Sequence, residues 1–344
     1  MNTIVLAEPG RLEPVHRDLG GDLSPGMARV RVRNVGICGT DWHAYAGRQP
    51  FFTYPRVLGH ELGVEVIEVA DASSDLVPGD RCAVEPYLNC GTCIACRQGK
   101  GNCCEHLRVL GVHADGGMSE ELVLPAAKLH RANDLDFEQL ALVETLGIGC
   151  HAVQRSAATA DDTALVQGAG PIGLSVVPFL QATGCRVAVV DVCVSRRRGV
   201  TDMLKVEHAL AADEQLGASL REAFGGDLPT VVIDATGNRE SMQNAFRLVA
   251  PGGRIVFVGL VQGEVAFDDP TFHKREATLL ASRNALPGDF GRIIGLIREG
   301  RVDTRPWITH RGPLMELPKL LPQWRDDERP VLKAMAHLDG GGSF

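Results

Sequence analysis

Two hydrophobic patterns divide the chain, and the first is an alternation of apolar and polar residues near the N-terminus. Residues 27–35 alternate in this way, which is the period of a half-buried strand. Residues 64–69 and 81–84 have the composition of further strands, and a Pro-Gly-Asp turn signal at 78–80 separates them. The first part of the chain is therefore predicted to be rich in β-structure.

From Leu142 onward the pattern changes to helices alternating with strands. A helical segment at 143–153 opens this part of the chain. The predicted elements that follow are a strand at 163–167, a helix at 174–183, a strand at 186–191, a strand at 231–237, a helix near 241–249 and a strand at 254–260. Such alternation favours a parallel, doubly wound sheet of the Rossmann type.

The length of 344 residues exceeds what one typical core holds, so we expect two domains. A β-rich catalytic domain is predicted over 1–150 and a Rossmann domain over 151–284. The tail over 285–344, with a helix near 290–297, is expected to return to the first domain. The predicted fold class is α/β, with the Rossmann sheet joined to the β-rich domain.

Composition and charge exclude several classes of protein. The chain is 44% hydrophobic and 23% charged, with a net charge of -8, so it resembles an ordinary soluble protein without a nucleic-acid partner. No basic leader or apolar run of about 18 residues is present, which predicts a cytoplasmic protein without a membrane partner. Ten cysteines without a signal peptide indicate metal binding rather than disulfides.

The first candidate chemistry lies in a glycine-punctuated segment at 36–61. Its candidate catalytic side chains are Cys38, Thr40, His43, His60 and Glu61. Zinc accepts sulfur, imidazole nitrogen and carboxylate oxygen, and a catalytic zinc keeps one position open. Cys38, His60 and either Glu61 or a later carboxylate could supply three ligands. The alternative is that Cys38 is a buried core thiol and His60 a structural histidine.

A second candidate site is the cysteine-rich stretch at 90–104. Cys90, Cys93 and Cys96 are spaced CxxCxxC, and Cys104 follows after seven intervening residues. Four thiolates on a short loop suit a structural zinc. An iron–sulfur cluster is an alternative, although the common ferredoxin spacings differ in the last interval. Cys103 stands beside Cys104 and makes the fourth ligand ambiguous; we choose Cys104.

Glu144 is a further candidate because it heads a mostly apolar segment. An ionised carboxylate there needs a nearby partner, and a metal would serve. The alternative is an ordinary acid at a helix start, where the helix dipole favours it.

The dinucleotide signal is GxGxxG at Gly168, Gly170 and Gly173, between a predicted strand and a helix. The first two glycines permit a tight turn and the close approach of a pyrophosphate, and the third permits helix–strand packing. The next strand ends in Asp191, which can bind a ribose 2′-hydroxyl and repel a 2′-phosphate. NAD is therefore favoured, with simple capping of the next helix as the alternative role of Asp191.

These motifs, in this order, resemble the zinc-dependent medium-chain dehydrogenase/reductases of the alcohol, sorbitol and threonine dehydrogenase group. The resemblance implies a GroES-like first domain and a catalytic zinc on Cys38 and His60. It places Glu61 near the metal and Glu144 where polyol-oxidising members have their third ligand, while Thr40 and His43 would relay the alcohol proton to water. The other expected cofactor contacts are Pro171, Ile172, Arg196, Val258, Gly259 and Leu260.

Segments 49–61, 111–117, 269–274 and 282–285 look like the bacterial L-galactonate 5-dehydrogenase branch of this family, whose members oxidise a sugar-acid hydroxyl to a ketone. The expected activity is NAD-dependent oxidation of a secondary hydroxyl of a sugar acid or polyol, specifically L-galactonate to D-tagaturonate. Two zinc ions per subunit and a homo-oligomer, a dimer or tetramer, are also expected. Three adjacent arginines at 196–198 leave NADP use open.

Other functions remain as alternatives. The substrate could be another polyol, threonine or a simple alcohol. A noncatalytic protein that binds NAD or zinc is a different class, but it would not require the proton relay through Thr40 and His43. A zinc-free reductase of quinones or enones is opposed by the intact set of metal ligands.

Overall fold

The computed structural model describes residues 1–49, 52–70, 74–328 and 331–338. Positions 50 and 51 of the segment at 49–61, and the end of the tail at 339–344, lie outside the described residues. The chain divides into two compact units, one formed by Met1–Thr145 with Leu286–Phe344 and the other by Leu146–Ala285.

The bounds of the elements follow the chain. The first elements are β1 Asn2–Glu8, β2 Arg11–His16, β3 Met27–Ile37, α1 Gly39–Tyr45, β4 Arg56–Val57, β5 Glu61–Val69, β6 Arg81–Val84, β7 Tyr87–Leu88, α2 Ile94–Arg97, β8 Arg108–Val109, β9 Glu121–Pro125, β10 Leu129–Arg131 and α3 Phe137–Ser156. The next are β11 Thr163–Gln167, α4 Pro171–Thr183, β12 Arg186–Asp191, α5 Val194–Leu204, β13 His208–Ala211, α6 Leu216–Ala223, β14 Val231–Asp234, α7 Arg239–Leu248, β15 Arg254–Phe257, α8 Asp269–Arg275 and β16 Thr278–Ala281. The last are α9 Pro287–Arg298, β17 Ile308–Pro313, α10 Leu317–Arg325 and β18 Lys333–His337.

The first unit is built around the long strand β3. Within the described residues, β3 pairs with β5, β9 and β18, all antiparallel. Ala28, Val30 and Val32 of β3 are fully buried, as the alternation predicted for this strand requires. The pairing sets Gly36 opposite Glu61 and Ile37 opposite Ala334, so the ends of three strands meet where β3 stops.

The second unit is a parallel sheet with the strand order β13-β12-β11-β14-β15-β16. This is the doubly wound Rossmann order. Its topological switch point lies between β11 and β14, and ligands of such sheets bind there, outside the carboxyl ends of the strands. Its interior is apolar, with Leu165, Ala188, Val232 and Ile255 buried. The predicted fold class, a Rossmann sheet together with a β-rich part, is confirmed.

Two details differ from the sequence-based expectations. Helix α3 begins at Phe137, so Glu144 lies well inside it, and the alternative of a helix-start acid is wrong. The strands expected at 231–237 and 254–260 end at Asp234 and Phe257. The second strand stops there because the next two backbone N–H groups, of Val258 and Gly259, both donate to the Asp234 carbonyl.

Among the helices in these described ranges, none is both long and apolar enough to cross a membrane.

Candidate active site

The ends of β3 and β5 bring together Cys38, His60 and Glu61. Cys38 directly follows β3. His60 directly precedes β5 and Glu61 is its first residue, and β5 pairs with β3. One ligand atom from each of the three residues lies within 4.8 Å of the other two. A side chain at Gly36 is excluded, because a Cβ there would lie 2.1 Å from Glu61 Oε2.

Asp41 binds the Cys38 backbone and faces the His60 imidazole. Its Oδ2 accepts the Cys38 N–H at 2.9 Å, in the capping arrangement of α1. Its Oδ1 lies 3.8 Å from His60 Nδ1, and both atoms are buried without a hydrogen-bond partner. Burial by itself lowers the pKa of His60, but the negative charges of Asp41 and Cys38 raise this pKa well above its usual value.

Glu61 is held by Lys333, a buried residue at the start of β18. Lys333 Nζ donates to Glu61 Oε1 at 2.6 Å and to Oε2 at 2.8 Å, and it also donates to Thr145 Oγ1 at 3.2 Å. Burial raises the pKa of Glu61, but the charges of Lys333 and His60, together with the hydrogen bonds that Glu61 accepts, outweigh burial, and the net pKa is lowered. Glu61 is therefore an ionised, fully engaged carboxylate.

Glu144 approaches the same cluster from α3. It lies outside the group of ligand atoms within 4.8 Å, yet its charge acts on His60. Tyr87 Oη donates a hydrogen bond to Glu144 Oε1, which leaves Oε2 without this partner. Burial raises the pKa of Glu144 and of Tyr87. A bound cation would stabilise the ionised form of this buried carboxylate.

The donor set of this cluster fits a zinc ion. It offers a thiol sulfur, an imidazole nitrogen and carboxylate oxygens, which are the ligands that catalytic zinc takes. Four acidic groups, Cys38, Asp41, Glu61 and Glu144, surround one imidazole, and Lys333 supplies the opposing charge. A divalent cation would complete the neutralisation of the cluster.

The cysteine loop brings the ligand atoms of Cys90, Cys93, Cys96 and Cys104 within 4.8 Å of one another. Sulfurs that share one zinc at ~2.3 Å lie about 3.8 Å apart, so the cluster fits a tetrahedral ion. Cys103 is exposed and lies outside this group. Hydrogen bonds from Thr92 and from the Cys93 backbone lower the pKa of the Cys90 thiol to about 5, which favours the thiolate that zinc requires.

Thr40 and His43 both lie on the short helix α1. They are three residues apart, and residues at this spacing share one face of a helix. Thr40 is half-buried and His43 is exposed. The pair therefore runs from a half-buried position, two residues after Cys38, to an exposed position.

The glycine loop of the second unit has the shape that a pyrophosphate needs. Gly168 has a φ of +95°, and Gly170 begins α4 as its N-cap, followed by Pro171 and Ile172 in the first turn. A Cβ at Gly170 would meet open space, whereas a Cβ at Gly173 would lie 1.8 Å from the Gly168 carbonyl oxygen. The loop thus combines an open approach with close packing of the helix.

Asp191 ends β12 beside this loop. Its Oδ2 accepts the Ala169 N–H at 2.8 Å, and its Oδ1 accepts the Cys193 N–H at 2.7 Å. Arg196 Nη1 is 3.9 Å from Asp191 Oδ2 and its side chain is half exposed. Arg197 instead donates to the Asp191 and Val192 carbonyls, so only Arg196 of these two has its guanidinium beside the carboxylate.

The last expected cofactor segment, Val258 to Leu260, lies at the carboxyl end of β15. Its first two backbone N–H groups bind the Asp234 carbonyl, and Leu260 is 80% exposed. Gly259 is required here, because a Cβ would lie 2.3 Å from the Gly237 nitrogen. The segment is thus placed at the ligand-binding edge of a parallel sheet.

Sequence reasoning missed three residues of the metal cluster. Asp41 could have been found from its spacing, since it lies three residues after Cys38, where a capping-box acid is expected. Lys333 interrupts an otherwise apolar run, which hints at a buried partner. Tyr87 carries no pattern that sets it apart.

A Rossmann unit, a buried Cys–His–carboxylate cluster and a four-cysteine loop together define a zinc-containing, dinucleotide-binding dehydrogenase. Two family models match the chain: the alcohol dehydrogenase GroES-like domain over residues 24–134 and the zinc-binding dehydrogenase domain over 171–299. The chain belongs to the zinc-type alcohol dehydrogenase family.

Individual relatives agree with this membership. L-galactonate-5-dehydrogenase of Escherichia coli K12 is 42% identical over 337 residues, covering 97% of this chain and 98% of that protein. 2-dehydro-3-deoxy-L-galactonate 5-dehydrogenase of Pseudoalteromonas atlantica is 31% identical over 294 residues, covering 85% and 86%. The solved structure of E. coli CFT073 rspB, described as a short chain alcohol dehydrogenase complexed with NADH, has a TM-score of 0.91 at 30% identity and covers 98% of this chain and 99% of that chain.

Proposed function

We propose that this enzyme oxidises a secondary hydroxyl of a sugar acid or polyol to a ketone with NAD and zinc. The observation that carries the proposal is the cluster of Cys38, His60 and Glu61, with the charge of Glu144 acting on it and with Thr40 and His43 on α1. The names of relatives that act on galactonates support the substrate class.

Cys38, His60 and Glu144 would hold the catalytic zinc. Glu61 has its ligand atom closer to the cysteine and histidine, but both of its oxygens are engaged by Lys333. Glu144 keeps one oxygen free of Tyr87, and we therefore assign it as the third ligand, with Glu61 beside the site. A bound zinc supplies a Lewis acid that lowers the pKa of the substrate hydroxyl.

The chain moves the substrate proton through α1. Thr40 would accept the proton from the hydroxyl, and His43 would release it to water, since His43 is exposed. Histidine suits this role because an imidazole can both accept and donate a proton.

The second unit would bind the dinucleotide. The backbone at Gly168, Gly170, Pro171, Ile172 and Gly173 would receive the pyrophosphate at the N-terminus of α4. Asp191 would accept ribose hydroxyls beside Arg196, and the segment Val258, Gly259 and Leu260 would line the same edge. The nicotinamide supplies the hydride acceptor.

Four thiolates, from Cys90, Cys93, Cys96 and Cys104, would hold a structural zinc. L-galactonate, oxidised to D-tagaturonate, is the specific substrate that we propose. The domain limits 1–150, 151–284 and 285–344, the homo-oligomer and the cytoplasmic location stay predictions.

The test is a panel of aldonates and polyols, with NADH formation followed in the presence of NAD. We expect L-galactonate to give the highest kcat/KM and metal analysis to give two zinc ions per chain. One zinc, confined to the cysteine loop, would instead support a quinone or enone reductase that has no catalytic zinc. Full zinc content and NAD binding without turnover of any alcohol would support the noncatalytic alternative.

A further inference from the structure

The four sulfurs of the cysteine loop receive hydrogen bonds from two kinds of donor. Cys104 Sγ accepts the backbone N–H groups of Cys90 at 3.2 Å and His106 at 3.3 Å. Cys90 Sγ accepts the backbone N–H of Cys93 at 3.4 Å, and Cys93 accepts from the backbone of Cys96 and Glu105. Two of the sulfurs accept side-chain donors: the Thr92 hydroxyl donates to Cys90 Sγ at 3.6 Å, and the side-chain amide of Asn89 donates to Cys96 Sγ at 3.6 Å.

Asn89 is in turn held by a lysine. Lys128 Nζ donates to Asn89 Oδ1 at 2.9 Å. An ammonium group can only donate hydrogen bonds, and a thiolate can only accept them. The amide of Asn89 joins these two groups in one orientation, with its oxygen toward Lys128 and its nitrogen toward Cys96. The reverse orientation would set donor against donor and acceptor against acceptor.

Lys128 is itself placed by a buried carboxylate. It donates to Glu85 Oε1, and Glu85 Oε2 lies 3.2 Å from His130 Nε2. The Glu85 side chain is only 3% exposed and that of Lys128 13%. The backbones are joined as well, since the Glu85 N–H donates to the Lys128 carbonyl at 2.8 Å. A charged pair with this support is a rigid anchor at the edge of the sheet that carries β6 and β10.

Asn89 also packs against the other side of the loop. A Cβ at Gly101 would lie 3.4 Å from the amide carbon and nitrogen of Asn89. The side chain therefore lies between Lys128 and the loop, held by its hydrogen bonds to Lys128 and to Cys96.

We propose that Asn89, oriented by Lys128 and Glu85, is a positioning residue for the metal of the cysteine loop. Its N–H group stabilises the thiolate of Cys96 and connects the loop to the buried charges of the main sheet. This inference rests on the proposed binding of a metal by the four cysteines. It assigns no role to these residues in the oxidation itself.

The test uses the full-length protein loaded with Zn²⁺ or Co²⁺. Asn89→Asp removes the amide donors and sets a carboxylate against the thiolate. Gln98→Glu is the matched control, because it adds the same charge at an exposed position of the same loop. Asn89→Ala removes the donor without adding charge, and serves if Asn89→Asp does not fold.

We expect Asn89→Asp and Asn89→Ala to weaken zinc binding at the loop by about 10- to 100-fold in competition with a chromophoric chelator, as loss of outer-shell partners does. The sulfur-to-cobalt charge-transfer band should also move to lower energy, because a thiolate without its hydrogen bond is a better electron donor. This band identifies the loop, since four thiolates absorb more strongly than the single thiolate of the other cluster. Gln98→Glu should change neither quantity.

Two results would overturn the inference and are distinguishable from each other. Wild-type protein whose loop takes up neither Zn²⁺ nor Co²⁺ would remove the metal assignment together with the role of Asn89. A wild-type loop that binds metal, with both Asn89 variants matching Gln98→Glu in affinity and in band position, would remove the role of Asn89 alone.

Discussion

Lys333 binds both carboxylate oxygens of Glu61, although 272 residues separate the two in sequence. The third hydrogen bond of its ammonium goes to Thr145 Oγ1, so every N–H of the group has an acceptor. Both side chains are at most 3% exposed. A buried ion pair with complete hydrogen bonding is costly to break on one side only.

Lys333→Met should destabilise the protein by about 3–5 kcal/mol, because it leaves Glu61 buried without its counter-charge. Urea unfolding of the variant and wild type measures the difference. Lys319→Met, at an exposed position of α10, should stay within about 0.5 kcal/mol of wild type. Equal effects of the two substitutions would contradict the buried-pair argument.

Glu144→Ala should remove zinc from the Cys38–His60 cluster while the cysteine loop keeps its metal. Tyr87→Phe, which removes only the hydrogen bond to Glu144, should weaken metal affinity by about 10- to 100-fold. Zinc content after dialysis, together with activity, measures both. Glu138→Ala on the same helix is the control, and full zinc with wild-type turnover in Glu144→Ala would disprove the assignment.

Cys93→Ser should lower the melting temperature and the zinc content by one ion per chain, since a structural zinc contributes directly to folding. Cys103→Ser is the matched control, because Cys103 neighbours the cluster but lies outside it. If Cys103→Ser lowers the melting temperature and the zinc content as much as Cys93→Ser does, the choice of Cys104 over Cys103 loses its support.

Asp191→Ser should lower kcat/KM for NAD by about 10-fold or more, since a hydrogen bond to a charged group contributes ~1.5–3 kcal/mol. Efficiency with NADP should rise, because Arg196 remains beside the vacated carboxylate position while Arg197 stays bound to backbone carbonyls. Both cofactors are assayed with one substrate, with Asp202→Ser on α5 as the control. A wild-type preference for NADP would show that the arginines govern the pocket.

The free energy of unfolding of the second unit should vary with pH in the acid range because of Asp162. Burial raises its pKa, but hydrogen bonds from Thr230, the Thr159 backbone and Arg254 outweigh burial and lower the pKa below 3.8. A lowered folded-state pKa gives a stabilisation that is complete above 3.8 and disappears as the pH falls through the folded value. We expect Asp162→Asn to cost about 1–3 kcal/mol at pH 6.

The difference between wild type and Asp162→Asn should shrink steadily below pH 3.8 in urea titrations. Asp161→Asn, at the exposed neighbouring position, should change little at any pH. A difference between Asp162→Asn and wild type that stays constant from pH 6 to pH 3 would contradict the pKa argument.

The sequence predicted the Rossmann strands well because their pattern is local. The bounds 163–167 and 186–191 match β11 and β12 residue for residue, since short apolar runs between turn signals determine them. The helix over 143–153 was predicted too short, because α3 begins with polar and apolar residues mixed at 137–141 and its burial depends on tertiary packing. Strand ends at Asp234 and Phe257 depended on backbone bonds that no single residue type indicates.

The candidate cluster was predictable only where motifs are short. Cys38, His60 and Glu61 lie in short sequence motifs that can be recognised locally. The Lys333 contact instead depends on the antiparallel pairing of β18 with β3, two strands that are far apart in sequence. Tyr87 acts through one hydroxyl on a residue 57 positions away. Such partners are selected by strand register and helix position, which periodicity does not encode.

The route of the chain also sets the order in which a growing polypeptide can complete the first unit. Strand β3 and Glu61 leave the ribosome early, but β18, which pairs with β3 and brings Lys333 to Glu61, follows only after the whole second unit has been made. Domains generally fold as they emerge during synthesis. The second unit can therefore fold while the first still has an open sheet edge and an unpaired acid, and the first unit is exposed to chaperones and proteases for longest.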